Sequence, residues 1–296
     1  MKTNSSKNTI TKYFSSIFKY LTTILPALLW MVAFFIIPLL FILVVSFSTR
    51  GEVGNIVYKF TFGNYTKLLN PLYINIFLKS ILIAIYTTML CLILGYPFAF
   101  IIANMNKRIK PILLLLIILP FWTNSLVRTY AMIVLLRTEG IINTVLLHLH
   151  IINIPIHLMY NNTAVMIGML YMMFPFMVLP LYTSIEKLDK RVLDAASDLG
   201  AGPFYKFLKV TLPLTKGGIV SGSILVFIPT LGLFFVTDLM GGSKVMLMSN
   251  LIKNQFLTAR DWPFGSAISV ILIIVMLSVI IYNARIHGTK GTKEVL

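Results

Sequence analysis

Two charged side chains, Arg128 and Asp238, lie inside long apolar stretches of a 296-residue chain that holds only nine Asp and Glu. An ionisable group at the centre of a bilayer costs about 2.5 to 3.5 kcal/mol on insertion scales, so it normally faces protein or a water-filled cavity. Two chemistries fit these residues. They could meet as a structural or gating ion pair. Alternatively, Asp238 could hold a cation, with Trp122, Tyr130 and Tyr171 offering ring faces to an ammonium group. Each of these aromatics also suits packing or interfacial anchoring. Asp261, beside Trp262 at the start of the last apolar stretch, could form an outer cation site, and it suits a helix cap equally well.

Other chemistry is poorly represented. The sequence has no GxxxxGK[ST] phosphate loop, no HExxH and no GxSxG. Nothing suggests an enzyme, and ATP hydrolysis, if this work requires it, belongs to another chain. Cys91 is the single cysteine and reads as a small packed residue, with no disulfide framework. His148, His150 and His157 supply too few ligands for a metal site, and INTVLLHLHIINIP around them reads as a helix grazing the membrane interface. No metal and no cofactor are expected.

The positioning elements follow from hydropathy. The chain is 58% hydrophobic and 11% charged, with a mean hydropathy of +0.90, outside the range of soluble domains. A crossing helix needs about 20 mostly apolar residues. Six stretches qualify, at 24–47, 76–104, 111–136, 164–186, 217–240 and 267–283. The first is too long and uncut to be a secretory signal. The expected fold is an all-α polytopic membrane protein with six transmembrane helices. Residues 1–23 and 284–296 flank the spanning domain 24–283.

Charge orients the spans. Four Lys and Arg precede the first span, three lie at 107–110, six at 187–216 and three after 283, against seven in the opposite loops. The positive-inside bias therefore assigns both termini and the 187–216 loop to the cytoplasm. The formal net charge of +16 is spread along cytoplasmic edges rather than gathered on one face. Anionic membrane lipid explains it, and no nucleic-acid partner is expected.

Between the fourth and fifth spans lies DAASDLGAGPFYKFLKVTLP, residues 194–213, polar and punctuated by glycine. Asp189 can cap a first helix, Gly200 can end it in the left-handed region, and Gly202 and Pro203 can restart a second that Pro213 ends. The hairpin could dock a partner through Asp194, Asp198, Lys206 and Lys209, with the small Ala195 and Ala196 admitting another backbone. It could equally lie on headgroups as an amphipathic element.

Asp194, Ala195, Ala196, Gly200, Val210, Leu212 and Pro213 fall at the spacing of the EAA signature of ABC importer permeases, with Asp in place of Glu and Val in place of Ile. The chain resembles that family. The resemblance implies a type I ABC importer permease fold in which the 187–216 loop is a coupling helix seated on the ATP-binding subunit. LPFWTNSLVRTYA at 119–131, PLYTSIEKLDK at 180–190, FFVTDLMGGSK at 234–244 and RDWPFGSAIS at 260–269 resemble the first permease subunit of spermidine/putrescine importers. That resemblance covers about Tyr20 to Arg285. It implies a bacterial inner-membrane complex with two copies of an ATPase, a second six-span permease, an extracytoplasmic polyamine-binding protein and a polyamine substrate. A permease for another small solute is the nearest alternative. An ion-coupled secondary transporter would show internal repeats, and none is evident.

Overall fold

The computed structural model describes residues 24–52 and 54–288. The expected N-terminal segment 1–23 and residues 289–296 of the expected tail lie outside the described residues. Five helical stretches are long and apolar enough to cross a membrane: Ile24–Ser46 (α1), Pro71–Asn104 (α3), Ser125–His148, Asn162–Glu186 (α7) and Trp262–Arg285. Pro203–Leu214 (α9) and Lys216–Gly232 (α10) make a sixth as a pair bent by 66°. The short helix α2, Gly63–Leu68, follows a two-stranded ribbon of β1, Thr49–Arg50, and β2, Ile56–Val57.

Helices α3, α7 and α10 pack together at the centre. Their shared core holds Cys91, Tyr96, Ala99, Met169, Met177, Leu181 and Val226. Small residues allow the close approach. A Cβ on Gly218 would lie 2.5 Å from Ser184 Cβ, and one on Gly222 would lie 2.8 Å from Met177 Sδ. Gly218 and Gly222 form a GxxxG face, a spacing that lets membrane helices touch backbone to backbone. A second core joins α2, α3 and α13, Trp262–Gly288, through Leu68, Ala84, Phe264, Ala267 and Ile268. In contrast, α1 is almost wholly open along its length, as expected of a helix whose solvent is lipid.

Three expected boundaries change. The expected span 111–136 is divided into α4, Lys110–Trp122, and α5, Ser125–Leu136, and the stretch long enough to cross runs from Ser125 to His148. Thr123 and Asn124 are extended between them, and the Asn124 side chain caps α5 by accepting from Leu126 N–H at 2.8 Å. α4 runs along α7, with Lys110 bonded to Glu186 near one end and Phe121 against Phe176 further along, and α5 also touches α7. The expected span 217–240 is also divided. After Gly232, Leu233 leaves the helical region with ψ 81°, and Phe234–Val236 (α11) runs into a π turn at Thr237–Gly241.

The third change is at Pro213, which does not end the second hairpin helix. That helix continues to Leu214 because the π turn Phe207–Thr211 precedes the proline. Proline lacks an N–H and its ring clashes with the carbonyl four residues back, and a wider turn relieves both problems. The interface segment expected around the histidines does contain a helix, α6, Ile141–His148.

Candidate functional site

The hairpin forms as local chemistry dictates. Asp189 Oδ1 accepts from Arg191 N–H at 3.0 Å to cap α8, Lys190–Asp198. The Arg191 guanidinium also donates to this carboxylate and holds it below the usual carboxylate range. Gly200 has φ +82°, with Gly200 N–H bonded to Ser197 C=O and Ala201 N–H to Ala196 C=O. Those two bonds are a Schellman cap. Gly202 then caps α9, with Pro203 in its first turn, and Lys206 Nζ donates to Ser197 Oγ at 2.8 Å to tie the two helices together.

The hairpin presents apolar surface outward. Leu199 is 88% exposed and Phe204 77%, while Asp194, Ala195 and Gly200 are also open. Ala196, Leu199, Gly200, Ala201, Tyr205 and Val210 line a shallow concavity. Apolar surface rimmed by charge suits contact with another protein or with a membrane surface. Leu212 is half-buried and Pro213 exposed where α9 meets the bundle.

At the opposite end, Asp238 and Arg128 do not pair. Asp238 Oδ2 accepts from the Lys253 ammonium and Oδ1 from the Asn250 amide. Both partners lie on α12, Met248–Leu257, a helix packed against α3, α10, α11 and α13. Its first residues, Met248 to Leu251, are buried, and Met248 N–H donates to Ser80 Oγ of α3 at 2.9 Å. The turn at Leu233 and the return of α12 bring Asn250 and Lys253 to Asp238. In the sequence, 241–266 reads as an external loop, so Asn250 and Lys253 do not stand out as partners of Asp238, nor does Ser80 within its apolar span. The helical spacing of Leu247, Met248, Leu251, Ile252 and Phe256 was the available signal.

Arg128 lies 4.1 Å from the centroid of the Phe121 ring, a cation–π contact. Its Nε and Nη1 are buried without a hydrogen-bond partner among the described residues. Tyr171 lines an apolar groove with Phe121, Phe98 and Phe174. The remaining expected residues are dispersed. Trp122 is 76% exposed and Tyr130 exposed. Asp261 is buried and caps α13 by accepting from Phe264 N–H at 3.1 Å, and Trp262 packs edge-on against Phe256. Among the described residues no cluster of His, Cys, Asp or Glu could hold a metal.

The apolar helices and the capped hairpin that follows α7 form the all-α fold of a type I ABC importer permease. Residues 95–287 match the family described as "binding-protein-dependent transport system inner membrane component", and the chain belongs to that family. It is 49% identical over 254 residues to the spermidine/putrescine transport system permease protein PotB of Escherichia coli strain K12, covering 86% of this chain and 92% of that one. It is 46% identical over 264 residues to PotB of Haemophilus influenzae, covering 89% and 92%. The fold is similar to a chain in the crystal structure of a bacterial ABC transporter involved in the import of the acidic polysaccharide alginate. There the TM-score is 0.73 at 13% identity, over 95% of this chain and 99% of that one.

Proposed function

We propose that this chain is the transmembrane permease subunit of an ATP-driven importer that carries spermidine and putrescine into the cytoplasm. The observation that carries the reading is the 49% identity over 86% of the chain to a spermidine/putrescine permease, joined to a hairpin that keeps the EAA spacing. The spanning domain is 24–283, flanked by cytoplasmic segments 1–23 and 284–296. The 187–216 loop seats on an ATP-binding subunit through Asp194, Ala195, Ala196 and Gly200, with Val210, Leu212 and Pro213 joining it to the bundle. Two copies of that ATPase, a second six-span permease and an extracytoplasmic polyamine-binding protein complete the assembly.

The chain's own part is mechanical. Closure of the ATPase dimer pushes the hairpin, and the push passes through the bend between α9 and α10 into the packed core. Packed helices shift between discrete arrangements rather than deform continuously, so the bundle alternates between outward and inward openings. Asp238 supplies the negative charge that a polyamine ammonium meets on its way, and Trp122, Tyr130 and Tyr171 are the candidate ring faces. Uptake of labelled spermidine, putrescine and sulfate by vesicles containing the whole complex tests the substrate class. ATP-dependent uptake of the two polyamines and not sulfate is expected. Sulfate uptake, or none of the three, overturns the assignment.

A further inference from the structure

The Asp238 carboxylate is already occupied by an alkylammonium, that of Lys253. That ammonium meets the carboxylate and the Phe234 ring, whose centroid is 6.0 Å from Lys253 Nζ, while the Asn250 amide donates to the other carboxylate oxygen. Asn250 is held in place because it also donates to Phe234 C=O at 3.0 Å. The carboxylate and the ring face recognise a primary ammonium, and the amide holds the carboxylate in place for it. Lysine carries its ammonium on four methylenes, the same group that ends a four-carbon diamine.

We propose that Lys253 is a resident stand-in for the substrate: it fills the Asp238 ammonium subsite at rest, and a terminal ammonium of the polyamine displaces it during passage. The inference rests on the polyamine reading above. Exchange needs no unfolding, since the Lys253 and Asp238 side chains are 28% and 29% exposed and Lys253 lies beyond the buried start of α12. Tethering gives the lysine a high local concentration, but a polyamine brings further positive charges that the lone lysine lacks. Displacement releases the Lys253 ammonium to water, and return of the lysine neutralises the carboxylate once substrate has moved on. A bare inorganic cation lacks the donor geometry and the alkyl chain that the site holds.

The test uses the whole importer in vesicles with saturating binding protein, and compares Lys253→Met, Asp238→Asn and the double variant. A competitor that fills the site nine-tenths of the time raises the apparent constant about tenfold. Lys253→Met should therefore lower the polyamine concentration for half-maximal uptake by up to about tenfold. Asp238→Asn should raise it, and the double variant should match Asp238→Asn. In a Cys91→Ala background, Lys253→Cys supplies a second readout: aminoethylation of the thiol restores the ammonium and should restore the wild-type constant, whereas methylation should not. If instead Lys253→Met loses thermal stability and uptake, and the double variant regains both, the pair is only structural and the proposal falls. Wild-type uptake of polyamine with no response to either Lys253 variant overturns this inference alone. Failure of the wild type to take up polyamine overturns the substrate reading and the inference with it.

Discussion

Tyr96 and Thr215 stand 119 residues apart in sequence and share a hydrogen bond of 2.8 Å. The Thr215 hydroxyl has one proton, and it donates that proton to Thr211 C=O at 2.8 Å, so Tyr96 is the donor between them. The Tyr96 ring also meets Phe207 edge-on at 5.4 Å. One residue of α3 therefore grips α9 at Phe207 and the corner between α9 and α10 at Thr215, where the 66° bend occurs. On the proposed mechanism, movement of the hairpin would reach the core through this contact.

Tyr96→Phe should keep the ring contact and remove the bond. The net loss should be about 0.5 to 1.5 kcal/mol, and transport should suffer more than folding. The expected result is a small fall in thermal unfolding temperature with a larger fall in polyamine taken up per ATP hydrolysed. An unchanged ratio would mean that the contact carries no coupling.

Gly200 tests backbone conformation without steric complication, because a Cβ there would meet nothing within 4 Å. The penalty for a side chain at φ +82° is then intrinsic, about 1 to 2 kcal/mol for most residues and less for Asn. Gly200→Val should weaken co-purification of the ATP-binding subunit and lower stimulated hydrolysis. Gly200→Asn should retain most of both. Equal behaviour of the two variants would argue that the cap does not set the docking surface.

Adjacent glycines on α10 should respond with opposite signs. Gly218 packs against Ser184 Cβ and Pro180 C=O, the latter 2.8 Å from an added Cβ, whereas an added Cβ on Gly217 meets nothing. Gly218→Ala should cost about 1 to 3 kcal/mol by overpacking. Gly217→Ala should stabilise by about 0.4 to 1 kcal/mol through reduced unfolded-state freedom. Thermal unfolding in detergent reads both directly.

The orientation inferred from charge has its own test. Single cysteines at Glu139 and Thr292 in a Cys91→Ala background should label from outside intact cells only at position 139. Labelling at 292 from outside would reverse the topology.

The Asp189 cap has a defined pH window. Its pKa is lowered in the folded chain by Arg191, so its contribution is present above the unfolded value, about 3.9. It is lost only as pH falls through the still lower folded value. Proteolysis of the hairpin should therefore stay constant from neutral pH to about pH 5 in the wild type. Asp189→Ala should raise it across that whole range.

What the sequence determined by itself was whatever depends on neighbours along the chain. Hydropathy over about 20 residues marked the segments that must leave water, and the order of Asp189, Gly200, Gly202 and Pro203 prescribed the hairpin's three caps. Each cap formed, because a capping bond spans only a few residues and competes with water rather than with distant parts of the fold. Asn124 carried a similar local signal, yet the apolar run around it masked the break.

Tertiary structure decided which charges meet. Arg128 and Asp238 are two prominent charges within apolar stretches, and their positions in sequence allow a pair. Leu233 leaves the helix, α12 packs back between α3 and α13, and Lys253 and Asn250 arrive at Asp238 from a segment that reads as loop. Arg128 settles instead on Phe121. Electrostatic energy depends on separation in space and on the medium between the charges. Neither is carried by spacing in sequence once a helix is broken and the chain turns back.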